Sequence, residues 1–139
     1  MFALAATLPA AAQAAPVHKA RYSTETLCEI VQPCLPPAQY ARGPFLARPA
    51  IKLMSLERIQ SACADGFAMR GTLPESARSV QAAVSMGADL GTLGCAQVQA
   101  TQCEVFLPSD LRRVLPQLYS LVLTHELGHC RGWVHDRYS

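Results

Sequence analysis

A chain of 139 residues, 50% of them hydrophobic, can bury the core of one small domain and is too short for two of ordinary size. Its formal net charge is +2, and no run of five or more basic residues occurs. Neither feature suggests a nucleic-acid partner, and none is expected.

Met1 to Ala14 are almost all apolar or small, and Ala12-Gln13-Ala14 fits a signal-peptidase site with cleavage before Ala15. Residues 1–14 are therefore expected to be a signal peptide, and the protein to be periplasmic or secreted. The basic n-region of such a leader is missing, so an alanine-rich tail is the other reading. The stretch is too short for a membrane span, and Pro9 interrupts it. The six cysteines, an even number in a small chain, read as a disulfide framework and favour export. Reduced core cysteines or extra metal ligands are the alternative. No C-x-x-C spacing occurs, which argues against a zinc ribbon.

Residues 15–50 read as an N-terminal arm or linker. Ser23 or Thr24 can cap a short helix that runs to Val31. Gln32-Pro33-Cys34-Leu35-Pro36-Pro37 breaks it, and the Pro- and Arg-rich stretch to Pro49 has no period. His18 lies in this arm and is expected to be an exposed histidine, not a ligand. The domain proper is expected over residues 51–139. Ile51 to Met54 predict a short strand. Ser55 then caps a helix to residue 64, with Leu56, Ile59 and Cys63 on its buried side and Asp65-Gly66 ending it. Thr72-x-x-Glu75 has the form of a capping box, with Pro74 in the first turn. The helix it would start carries Ala77, Val80, Ala83 and Val84, stops at Gly87, and has a thin apolar face that suits a surface insertion.

Gly91 to Ala100 predict an irregular strand, Gln99 to Gln102 a turn, and Cys103-Glu104-Val105-Phe106-Leu107 the clearest strand of the chain. Cys95 and Cys103 would face each other across this hairpin, which makes Cys95–Cys103 the easiest disulfide to justify. Pro108 ends the strand. Leu111 to Leu115 form a separate turn, and Pro116 opens a helix that continues to Arg131. Val114, Leu118, Leu121 or Val122, His125 and His129 share one of its faces. Cys130 points about 100° away from His129. It is therefore read as a disulfide partner, with Cys63 left by elimination, and Cys28–Cys34 would pair locally. Trp133, the one tryptophan, suits the core or a cleft wall.

Thr124 to Asp136 read T-H-E-L-G-H-C-R-G-W-V-H-D, which contains H-E-x-x-H-x-x-G-x-x-H. On a helix, His125 and His129 stand one turn apart on one face, so two imidazoles can reach one zinc ion. Glu126 is placed to hold a water at that metal. Gly132 can take the left-handed conformation that reverses the chain and returns His135 as third ligand, with Asp136 the alternative. A scattered set of surface histidines is the bland reading, and three of the four histidines in one register argue against it.

In these five fixed positions the sequence resembles the metzincin zinc metalloproteases, over about a dozen residues. The resemblance implies an α+β fold: a minimal zincin-like domain with a small sheet packed on a long active-site helix. It implies a zinc endopeptidase in which His125, His129 and His135 bind Zn2+ and Glu126 is the general base. It also implies that peptide substrate lies along an edge strand, here assigned to Cys103, Glu104, Val105, Phe106 and Leu107. The methionine turn that metzincins carry downstream has no counterpart, since all four methionines precede the motif. A minimal form with an open cleft is expected, and Tyr138 is a candidate phenol beside it. The competing function is a zinc-binding or interaction module that keeps the zincin core without catalysis. Glu126 favours the enzyme, because a purely structural site needs no carboxylate there.

Overall fold

The computed structural model describes residues 22–30, 33–64, 66–68 and 72–135. The leader Met1–Ala14, His18, Asp136 and Tyr138 lie outside the described residues. Helix α1 spans Thr24–Ile30 and α2 Ala38–Ala41. Strand β1 spans Arg48–Met54, α3 Leu56–Ala62 and β2 Phe67–Ala68. Helix α4 spans Val80–Met86, followed by the hairpin β3, Thr92–Val98, and β4, Gln102–Pro108. A single turn, α5, Leu111–Val114, leads into the long helix α6, Pro116–Cys130. The small sheet with its long C-terminal helix is the α+β arrangement that the sequence implied.

Local chemistry explains most boundaries. The Ser23 hydroxyl accepts from the Thr26 amide and caps α1. Ser55 caps α3 through the Arg58 amide, and Leu56 and Ile59 are its buried residues. Pro116 stands in the first turn of α6, where a missing amide proton costs nothing. Helix α4 begins later than its sequence suggested. Thr72-x-x-Glu75 is not a helix start. Ser79 is the cap, accepting from the Ala82 amide, and the Asp110 carboxylate takes the Val80 and Gln81 amides from across the fold. Its side facing the protein is core, with Val80 and Ala83 buried, and not a surface insertion; Ala77, which precedes the helix, is buried too.

The sheet order is β1-β4-β3-β2. β1 runs parallel to β4, and β3 is antiparallel to both β4 and β2. β4 is therefore an internal strand, and the assignment of Cys103 to Leu107 as a substrate edge is corrected. Its backbone groups are already used by two neighbours, one of which arrives from about fifty positions earlier in the chain. Cys103, Val105 and Leu107 alternate onto one face and are fully buried. Gly94 lies on the same face, where a Cβ would meet Leu107 and Val122 at 3.0 Å. That face is covered by α6.

All six cysteines are paired. Cys28–Cys34 forms as expected, but the other two pairings are Cys63–Cys95 and Cys103–Cys130. The expected Cys95–Cys103 fails on register: Cys95 stands opposite Phe106, and Cys103 opposite Val98. Since strand side chains alternate, Cys95 and Cys103 point to opposite faces. The expected Cys63–Cys130 fails with it, because Cys103 is the cysteine that faces α6. Three disulfides in so small a chain fit an extracellular or periplasmic location. Among the described residues no helix is long and apolar enough to cross a membrane.

Candidate metal centre

His125 and His129 occupy successive turns of α6, with His125 only 2% exposed. After Cys130 the helix is closed by a Schellman motif. The Trp133 amide donates to the Gly128 carbonyl and the Gly132 amide to the His129 carbonyl, each at 3.0 Å. This closure requires a left-handed residue, and Gly132 supplies it with φ +99°. The chain then doubles back and brings His135 to the other two. His125, His129 and His135 each present a ligand nitrogen within 4.8 Å of the others, so the group can hold a metal ion.

Hydrogen bonds decide which nitrogens face inward. His125 Nδ1 lies 2.8 Å from the Cys34 carbonyl and His129 Nδ1 2.7 Å from the Trp133 carbonyl. A carbonyl only accepts, so both protons sit on Nδ1 and both Nε2 lone pairs are left for a ligand. Burial keeps these rings neutral. It pushes His125 down to about 4, against a smaller opposing effect of the Cys34 carbonyl, and the neighbouring histidines lower it further. It lowers His129 too. Neutral imidazole is the form that binds metal. His125 Nε2 and His135 Nε2 stand 3.1 Å apart. Two nitrogens on one tetrahedral zinc are about 3.3 Å apart, so this pair is already at ligand spacing.

Aromatic rings wall the group. Trp133 is buried and stacks on His129, with centroids 5.1 Å apart and planes 10° from parallel. Phe67 of β2 meets His125 edge-on at 4.7 Å. Glu126, one residue past His125, is 2% exposed, and burial raises its carboxyl to about 8. Its Oε1 is buried without a hydrogen-bond partner among the described residues. An orphaned buried oxygen is rare and asks for a partner such as a water or ion. The donor set of three imidazoles, two of them oriented by carbonyls, fits a divalent metal.

Residues 33–47, read as part of an arm or linker, contribute to the centre. Besides the Cys34 carbonyl, the Leu46 amide donates to the Cys130 carbonyl and the Arg131 Nε to the Gly43 carbonyl. Sequence reasoning missed Cys34 and the backbone of Trp133 because a carbonyl ligand-holder leaves no trace in residue type. It missed Phe67 because no motif surrounds it.

No protein-family model matches this sequence, and no curated protein or solved structure matches it either. The class of the centre therefore rests on its own geometry: a buried three-histidine group able to hold a metal ion.

Proposed function

We propose that the protein is an exported zinc endopeptidase of the metzincin type. The observation that carries this reading is the convergence of three imidazoles at the end of the helix that also carries Glu126, whose Oε1 is buried without a partner among the described residues. A zinc ion held by His125, His129 and His135 would activate a water and polarise a substrate carbonyl. The Glu126 carboxylate takes the proton of the attacking water and delivers it to the leaving amine. A dication beside Glu126 favours its ionised form and so offsets the burial that raises its pKa. The Cys34 and Trp133 carbonyls hold the rings of His125 and His129 in place throughout. Phe67 and Trp133 restrict water around His125.

With β4 internal, the sheet edge that comes to the histidines is β2, paired only to β3 among the described residues. An extended peptide adds there by strand pairing. The test is Glu126→Gln against wild type at matched zinc content on a peptide library. Gln keeps the shape but accepts no proton, so cleavage should fall by about 10²–10⁴ with zinc retained. Equal cleavage by both proteins would refute the peptidase and leave a zinc-binding module.

A further inference from the structure

Cys34 lies 91 positions before His125, yet its carbonyl accepts the Nδ1 proton of that ligand. Two attachments fix this carbonyl. Pro36 is buried on α6, where a Cβ on Gly128 would meet its ring at 2.9 Å. On the other side Cys34 is bonded to Cys28 of α1. The start of α1 is itself anchored, since Tyr22 is buried and its hydroxyl donates to the Ala88 carbonyl at 2.5 Å. Residues 33–37 belong to no helix or strand, so no ladder of backbone bonds holds Cys34.

We infer that the Cys28–Cys34 disulfide is a positioning element of the metal centre, and that metal affinity falls when this one bond is reduced. The inference rests on the metal-binding part of the proposed function and not on the peptidase part. The disulfides differ in placement: Cys103–Cys130 is buried at both ends and Cys63–Cys95 at one, whereas Cys28 and Cys34 are both partly exposed. A dithiol reductant therefore reaches Cys28–Cys34 from either sulfur, and does not reach Cys103–Cys130 in the folded protein. It gives two electrons and two protons, the S–S bond breaks, two thiols form, and the reductant leaves as its own disulfide. The Cys34 carbonyl then loses its tether. His125 loses the acceptor that fixes its ring and keeps the proton on Nδ1, and with it the Nε2 lone pair aimed at the metal. A disulfide oxidant reverses the step, so the centre gains its full affinity only in an oxidising compartment.

The experiment measures Zn2+ affinity by chelator competition on three folded full-length proteins: wild type, Cys28→Ser/Cys34→Ser and Cys63→Ser/Cys95→Ser. Loss of a ligand-orienting partner weakens metal binding about 10–100-fold, and the first variant should show it. The second variant opens the longer span, 32 residues against 6, and so loosens the unfolded chain more, yet it should bind zinc as wild type does. In parallel, the His125 Nδ1 proton should exchange faster with solvent in the first variant alone. Wild-type affinity in the first variant overturns the inference, and so does equal weakening in both. If the first variant does not fold, mild reduction of folded wild type gives the same comparison, with the opened pair identified by alkylation and mass spectrometry. Unchanged zinc affinity in that species also overturns it. Wild type that binds zinc but cleaves no peptide, beside a weakened first variant, removes the peptidase and leaves the tether standing.

Discussion

Gly132→Ala tests whether the reversal after α6 is what delivers His135. At φ +99° the residue sits where an L side chain is strained by about 1–3 kcal/mol. An added Cβ would also come within 2.6 Å of Leu46 Cδ1. That methyl ends a flexible side chain that is 72% exposed, so it swings aside and adds little. The backbone term should dominate, and two responses are open to the chain. If the Schellman closure persists, the metal-free protein loses about 1–3 kcal/mol of stability. If the turn unwinds instead, stability is kept, His135 leaves its companions, and zinc affinity drops. The assay is urea unfolding in chelator together with Zn2+ titration, for wild type, Gly132→Ala, Leu46→Ala and the double variant. Gly132→Ala with both unfolding midpoint and zinc affinity unchanged would refute the reasoning. Full rescue by Leu46→Ala would refute the claim that backbone conformation, and not the contact, sets the cost.

Gly128→Ala should be destabilising by about 1–3 kcal/mol despite the gain in helix propensity, because the new methyl meets Pro36 and Trp133 at 2.9 Å and both are buried. Urea midpoints and the emission of the single tryptophan report it, and a more stable variant would show that the helix has room to shift. In metal-free protein the folded state holds the Glu126 proton up to about 8, well above its ordinary 4.5. Stability falls with pH wherever the folded state binds more protons, so this contribution is present below 4.5 and is lost as pH rises toward 8. The lowered His125 and His129 act in the opposite sense, but only below the ordinary imidazole value of 6.5. From pH 6.5 to 8, wild type should therefore lose up to about 2 kcal/mol relative to Glu126→Gln in chelator, and parallel profiles would refute the assignment.

The three histidines that could hold a metal were legible because their spacing is itself the geometry: a one-turn interval, a glycine at the reversal, and a return. The long helix was legible from Pro116 and its apolar face, and α3 from Ser55. What stayed hidden depends on contacts between distant segments. Cys95 and Cys103 look like partners along a hairpin, and only the strand register, with Cys95 opposite Phe106, shows that they face apart. Whether Cys103–Leu107 is an edge depends on β1 arriving from the other side, and nothing in the strand itself records that. The start of α4 is set partly by the carboxylate of Asp110, thirty positions on, which outweighs a local capping pattern at Thr72. The orienting carbonyls of Cys34 and Trp133 are backbone atoms, which any residue supplies.

The parallel pairing of β1 with β4 also governs the order in which the molecule can assemble. Arg48 meets Gln102 and Met54 meets Pro108, so the first strand must wait for the last. Until then Ile51 and Leu53 stand on a strand with no partner, a segment prone to mispairing with other chains. Pairings of this separation carry a large loop-closure cost and make folding slow. A chain delivered N-terminus first therefore spends an interval with its early half synthesised and its sheet unformed. The three histidines cannot converge during that interval, because His125, His129 and His135 all follow β4 in the chain. If the protein is a peptidase, this arrangement spares the cell that makes it: hydrolytic capacity would not precede completion of the fold.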